Sequence, residues 1–507
     1  MSLTAQRQPD SRLDRGVVVI ALGALALEMA VSARYGYHRD ELYFLVAGQH
    51  PALGYVDQPP LAPLVARLAA VLFNNSLVGL RVIPALLLGW LVVVSGSLAR
   101  LLGGAASARR LAALATALCG EYLATAHLLT TTVFDFAAWA GVLWSVAHYL
   151  ESERPRWLVV AGLFGGVGLD AKWNIAFLLV AIAVGIVASR ATRQLVELRW
   201  VVLAVAAVVV LGWPDVWWQA THGWPNVAVF RALQHDAGHN RAVYWPAQVL
   251  YTGLAATPLW VAGLWSLWRR DVPDRRWRAL ALASAIVLVL EFVLGGKPYY
   301  AGGVFVLLFA AGAVAVERRV VVRRAKGLGT KVSARASAAA IGVTGLLSIV
   351  LALPVVPART LHSVALQKIN YDLAETIAWP REVSQIASVY RSLTPRVRRD
   401  TIVLAGNYGE AGALVRYGAQ FDLPVRRVFS GANSFWLWGP PPNGATSAIA
   451  VNMDPVLLHR LFRRVQRRLV YRNGIGVAND EQGIEVSVAT GLRVPWSKSW
   501  RLVQHYD

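Results

Sequence analysis

The run Tyr37-His-Arg-Asp-Glu-Leu-Tyr43 places two adjacent carboxylates, Asp40 and Glu41, beside a histidine and Arg39. It follows directly on an apolar stretch, Gly16–Ala33, broken only by Glu28. About 18 apolar residues at 1.5 Å rise come close to spanning a bilayer core. A carboxylate at the mouth of such a span, among Tyr35, Tyr37, Tyr43 and Phe44, suits general-base work on a hydroxyl at the membrane surface. The competing reading is a solvated loop with one capping carboxylate, since loops are commonly charged.

Further candidates lie downstream. In Tyr55-Val-Asp-Gln-Pro-Pro60, two prolines fix a rigid turn that presents Asp57 and Gln58. Asp135 stands at the start of a later apolar segment, where an acid is either functional or a favourable helix N-terminal charge. Asp170 and Lys172 occupy an otherwise apolar hairpin, Leu169–Asn174. They either satisfy each other or leave Lys172 as a point charge for a phosphate. Lys297 sits in Gly295-Gly-Lys-Pro-Tyr-Tyr300, with Tyr299 beside it. Arg231, His235, His239 and Arg241 fall in a long polar stretch. His235 and His239 would share a helix face, but Asp236 would point elsewhere, so a metal is weakly supported and phosphate binding fits at least as well. No Walker motif, dinucleotide glycine fingerprint or zinc-protease motif is present, which removes the usual signs of a cytosolic nucleotide substrate.

The elements that must position these groups are membrane helices. The 507-residue chain is 56% hydrophobic and only 16% charged, with 20 tryptophans. Its mean hydropathy is +0.46. Apolar stretches alternate with short arginine-rich loops, the pattern of a polytopic membrane protein. The net charge of +21 reflects those loops, so orientation and anionic lipid explain it better than nucleic acid. The lone cysteine, Cys119, excludes an intramolecular disulfide. No small-residue cleavage site follows the first apolar run, which therefore reads as a retained span.

The expected spans are Gly16–Ala33, Leu77–Leu102, two within Leu111–Leu150 parted at His127–Thr132, two within Trp157–Arg190 parted at the Lys172 hairpin, Trp200–Trp213, Trp245–Trp268, Trp277–Leu294, Tyr299–Val316 and Ala338–Val356, about eleven in all. Leu61–Phe73 reads as an interfacial helix and Asp215–Tyr244 as a loop. One set of loops holds Arg12, Arg15, Arg109, Arg110, Arg154, Arg156, Arg190, Arg193, Arg199 and the basic runs Arg269–Arg278 and Arg318–Lys331. That set is predicted to be cytoplasmic, and the opposite set, with Asp40, Lys172 and Lys297, extracytoplasmic. The N-terminus is then cytoplasmic in a multi-pass protein of the plasma (inner) membrane. Residues 1–357 form the membrane domain, with a catalytic first external loop at 34–75. After Pro357, strands predicted at Thr401–Ala405, Arg427–Ser430, Ala448–Asn452 and Ile484–Val488 alternate with helices, giving an extracytoplasmic α/β domain over 358–507.

Arg39-Asp-Glu-Leu-Tyr43, Tyr55-Val-Asp-Gln-Pro-Pro-Leu61, Asp135 at a span head, Leu169-Asp-Ala-Lys172 and Gly296-Lys-Pro-Tyr-Tyr300 together resemble the GT-C glycosyltransferases. More narrowly, they resemble bacterial relatives of protein O-mannosyltransferases and of the lipid A aminoarabinose transferase, over about residues 10–320. The resemblance implies an inverting transfer of a sugar from a polyprenyl-phosphate carrier to an extracytoplasmic glycolipid, envelope glycan or protein. It implies Asp40 as the base, Glu41 as its support or a metal holder, and Asp135 as a second acid. Lys172 would contact the donor phosphate, with Lys297, Arg231 and Arg241 as further phosphate contacts. Arg39, Asp57, Gln58 and Tyr299 would serve the acceptor or support the site. Several relatives carry His or Lys before the proline pair where this sequence has Gln58. No cofactor is certain from these residues. A divalent metal, were one used, would draw on Glu41, His235 and His239. The rival class is a lipid or solute transporter, but transporters set ionisable groups at the midplane of repeated halves. Here those groups gather near one face and no repeat is evident.

Overall fold

A computed structural model describes residues 14–269, 275–327, 333–363 and 369–506. Arg12 and the stretches 270–274 and 328–332 of the basic loops lie outside the described residues. The chain is a helical bundle followed by a small sheet. Helix α1 (Arg15–Val31) leads through Tyr35 and Gly36, both at positive φ, into a short helix α2 (Arg39–Ala47). Then come α3 (Leu61–Leu72), α4 (Leu77–Leu101), α5 (Ala106–Ala117), α6 (Gly120–His127) and α7 (Thr131–Ser152). They are followed by α8 (Arg156–Leu169), α9 (Ile175–Ala188), the one-turn α10 (Arg190–Arg193) and α11 (Leu198–Thr221). The bundle closes with α12 (Pro225–Leu233), α13 (Ala237–Thr252), α14 (Thr257–Trp268), α15 (Arg278–Leu294), α16 (Phe305–Ala325) and α17 (Ala334–Ala352).

Six helices among the described residues are long and apolar enough to cross a membrane: Leu77–Leu101, Thr131–Ser152, Leu198–Thr221, Arg275–Leu294, Pro298–Ala325 and Ala334–Ala352. These helices alone do not confirm the expected count of about eleven spans. Several segments read as spans are shorter or interrupted: α8 and α9 have 14 residues each, Leu111–Leu150 breaks at Leu118–Cys119 as well as before Thr131, and Trp245–Trp268 breaks at Gly253. Gly253 adopts φ +90°, a conformation that L side chains rarely take. The polar stretch Asp215–Tyr244 is also not a loop. Helix α11 continues to Thr221, and α12 and α13 follow after a tight turn at Gly223. Polar residues there spread around helices whose exposed faces tolerate them.

The sheet has the order β2-β1-β3-β5-β4. Strands β1 (Thr401–Ala405), β2 (Val428–Ser430) and β3 (Ser447–Val451) are parallel; β5 (Glu485–Leu492) runs antiparallel to β3, and β4 (Phe462–Val470) antiparallel to β5. β1 and β3 are buried along their whole length, as their continuous apolar runs require of central parallel strands. Strand β4, absent from the strands expected from sequence, is an arginine-rich edge strand, and its charge hides its periodicity. The helix Tyr408–Tyr417 packs directly on α2. A side chain at Gly412 would meet the Leu42 backbone at 2.9 Å, so glycine permits the close approach.

Candidate active site

Helix α2 starts at a capping box: Asp40 N–H donates to His38 Nδ1 at 3.2 Å, and His38 N–H donates to the Glu41 carboxylate at 2.8 Å. Neighbouring residues on a helix do not face the same way. Asp40 and Glu41 therefore diverge. Glu41 turns into the bundle and is fully buried. Its Oε1 accepts from Arg81 Nε at 3.0 Å and Leu129 N–H at 3.1 Å; its Oε2 accepts from Arg81 Nη2 at 2.8 Å and His38 N–H at 2.8 Å. Arg81, on α4, also donates to the Ser32 and Gly36 carbonyls, at 2.9 and 2.7 Å. This pair fastens α2 to α1, α4 and the α6–α7 link. With four donors on two oxygens, Glu41 has no free lone pair to offer a metal. His235 and His239 are exposed, and no group of three His, Cys, Asp or Glu suited to a metal exists among the described residues. The set Glu41, His235 and His239 thus does not fit a divalent metal.

Asp40 faces the other way, and its side chain keeps 32% of its exposure. Its Oδ1 accepts from the Tyr408 hydroxyl at 2.9 Å, across 368 residues of sequence. Arg39 pairs with Asp480 at 2.6 Å and lies over the Tyr408 ring at 5.4 Å. Asp57 is brought alongside. It accepts from the Tyr43 hydroxyl at 2.8 Å and from Asn433 Nδ2 at 3.1 Å. Burial pushes the Asp57 carboxyl up to about 7, against these hydrogen bonds, which pull it down. Tyr43 stacks near Tyr408 and Phe435, at centroid distances of 5.0 and 5.9 Å. The residues after the sheet's second strand therefore help to build this site. Gln58 is buried beside it, and its side-chain Nε2 has no partner among the described residues.

The lysine hairpin reaches the same face. Leu61 N–H donates to the Asp170 carbonyl at 3.0 Å, tying the proline turn to it. Lys172 Nζ approaches Thr132 Oγ1 at 3.4 Å and lies over the rings of Tyr300 at 4.1 Å and Tyr299 at 5.0 Å. Thr132 and Asp135 share one face of α7 by their spacing. Asp135 is buried and accepts from Trp139 Nε1 at 2.8 Å. The charges of Asp135, Lys297, Glu291 and Asp40 all act on Lys172. Asn240 and Arg241 brace the segment before Lys297, donating to the carbonyls of Gly295 at 3.0 Å and Val293 at 3.1 Å. Arg231 is exposed on α12 and makes no such contact in this group. Asp40, Asp57, Asp135, Lys172, Lys297 and Tyr299 thus gather at one face, whereas Glu41 serves the scaffold.

Two contributors escaped the sequence reading. Arg81 and Glu291 are ionisable groups inside apolar helices, a signal that was present and usable. Tyr408 and Asn433 lie in two segments, Asn407–Glu410 and Asn433–Trp436, whose sequence fits either a glycan-binding surface or core and turn residues; only the packing of distant segments brings them to Asp40 and Asp57.

Residues 57–218 match the family model for dolichyl-phosphate-mannose-protein mannosyltransferase. No curated protein matches the sequence. Among solved structures, ArnT from Cupriavidus metallidurans bound to undecaprenyl phosphate is 17% identical, covering 93% of this chain and 97% of its own, with a TM-score of 0.58. Its apo state gives 0.55 at the same identity and coverage. The arabinofuranosyltransferase AftD from Mycobacteria is 15% identical over 95% of this chain and 40% of its own, with a TM-score of 0.53. Asp57, Gln58, Asp135 and Lys172 fall inside the matched segment, and Asp40 precedes it. The resemblance seen in the sequence therefore stands at the level of the fold: the chain shares its architecture with ArnT, and residues 57–218 match the dolichyl-phosphate-mannose-protein mannosyltransferase model.

Proposed function

We propose that this GT-C glycosyltransferase moves a sugar from a polyprenyl-phosphate donor to an acceptor hydroxyl on the extracytoplasmic face of the plasma membrane, with inversion and with Asp40 as the base. The observation that carries the reading is the divergence on α2, where Glu41 is consumed by Arg81 while Asp40 stays partly exposed toward the Lys172 hairpin. Asp40 takes the acceptor O–H proton as the new C–O bond forms at the anomeric carbon. The bond to the carrier phosphate breaks, and its electron pair leaves on the phosphate oxygen. Lys172, shielded by Tyr299 and Tyr300, meets that charge, with Asp135 setting the lysine's field. Lys297 is the second cation offered to the phosphate, Arg241 braces the segment before it through the Val293 carbonyl, and Arg231, exposed on α12, takes no part. Arg39, Asp57 and Gln58 hold the acceptor side.

Charge asymmetry supports the orientation, with basic loops cytoplasmic and the sheet-bearing domain, from residue 358, outside. The bound undecaprenyl phosphate in the ArnT structure supports the donor class. The test is Asp40→Asn in membranes supplied with a panel of polyprenyl-phosphate sugars, followed by mass spectrometry of the acceptor fraction. Transfer should fall about 10²–10⁴-fold with insertion intact. Near-normal transfer by the variant sinks the assignment.

A further inference from the structure

On the bundle face opposite Asp40, the ends of α4, α14 and α16 and the start of α17 enclose a cavity of about 1050 Å³. Some 20–30 Å of helix separates Phe305, beside the candidate site, from Arg319 and Arg324 at this cavity. Its volume is at the upper end of small-molecule pockets, roughly 300–1,000 Å³. The floor is apolar and deeply buried, with Leu267 and Val314 at 1% and 4% exposure. The rim is cationic, with Arg319, Arg323 and Arg324 on α16. Trp265 also lines the cavity and is half exposed, and the Arg269 guanidinium lies 4.3 Å over its ring. A tryptophan with an arginine marks headgroup depth.

The one acid in this lining offsets only part of the rim's charge. Glu317 accepts from the backbone N–H groups of Ala105 at 2.8 Å and Ala108 at 3.1 Å, and from the Ser107 hydroxyl, capping the start of α5. Among the described residues, neither Arg319 nor Arg324 has an ion-pair partner. Orientation alone requires basic residues on this face. It does not require them around an apolar cavity.

We propose that this cavity is a binding site for an anionic diacyl phospholipid, with its phosphate on Arg319 and Arg324 and its acyl chains on the apolar floor. In the orientation proposed above it belongs to the cytoplasmic leaflet. The site stands apart from the transfer chemistry.

The full-length protein, delipidated in detergent, is titrated with phosphatidylglycerol or phosphatidylcholine of the same chains, and retained lipid is read by native mass spectrometry. The wild type and Asp40→Asn should both prefer phosphatidylglycerol. The Arg319→Gln/Arg324→Gln double variant should lose about tenfold or more of that retention, at roughly fivefold per arginine. The Arg319→Lys/Arg324→Lys pair should keep most of it, which separates lost charge from lost folding. Arg154→Gln/Arg156→Gln, exposed between α7 and the first turn of α8 on the same face, should keep it fully. No preference in the wild type, or equal losses in the two glutamine pairs, overturns the proposal in favour of diffuse surface charge.

Discussion

Carboxylates around α2 are met by cations, amides and hydroxyls: Arg81 on Glu41, Tyr408 on Asp40, Tyr43 and Asn433 on Asp57. In the sheet-bearing domain, Glu382, Glu410 and Glu481 are buried chiefly against one another. Glu410 accepts from the N–H groups of Gly406 and Asn407, and Asn407 reaches Glu481 at 3.4 Å, while both oxygens of Glu382 lack a partner among the described residues. Burial, then mutual repulsion, raises all three, Glu410 to about 8 and the others well above the ordinary carboxyl value. The difference separates two uses of one functional group. A carboxylate given donors fixes geometry and stays available for chemistry. A cluster of carboxyls denied cations holds protons and makes its domain sensitive to alkali.

The strongest way to break this contrast is at the adjacent pair on α2. Glu41→Ala leaves Arg81 buried and unpaired, a loss of about 3–5 kcal/mol. Asp40→Asn, one residue away, partly exposed and still able to accept from Tyr408, should change stability by no more than about 0.5 kcal/mol. Thermal unfolding of the two purified variants decides it, and equal losses would erase the assigned division of labour. Next comes Tyr408→Phe. Removing a hydrogen bond to a charged group costs about 1.5–3 kcal/mol, so transfer should slow about 10–100-fold. The effect belongs in kcat, with the KM for the lipid donor unchanged; a shift confined to KM would place Tyr408 in donor binding instead.

The glutamate cluster gives the third. Its folded pKa values are raised above the unfolded carboxyl value, so the folded state binds more protons between about pH 4.5 and 8. Stability is fully present below that window and falls as pH rises through it. The melting temperature should therefore drop from pH 5 to pH 9, and Glu382→Gln should flatten the drop; an unchanged slope would remove Glu382 from the cluster. The smallest effect is at Asp57, raised to about 7 by burial. By the same sign, the cost of burying the charged carboxyl destabilises the proline turn as pH passes 7, although Tyr43 and Asn433 donate more strongly to the ionised form. Hydrogen exchange over residues 48–60 should quicken there, and not in Asp57→Asn.

Much of the molecule was legible locally. Apolar run length announced the helical membrane body, and the hairpin at Lys172 and the turn before Asp135 fell where polar residues interrupt it. Continuous apolar runs marked β1 and β3, while β4 escaped because an exposed edge strand can be mostly arginine. Helices α12 and α13 escaped because a half-exposed helix reads as a polar stretch.

What the sequence by itself determined is which groups stand at the ends of apolar helices: Asp40, Asp135, Lys172 and Lys297. Desolvation and the helix period act within a few residues, so these follow from composition and spacing. Only the tertiary structure decided which of the two acids on α2 is free. That choice depends on Arg81, 40 positions on, and on Tyr408, 368 positions on. A buried charge takes whichever partner packing brings within reach, and chain separation carries no record of that meeting.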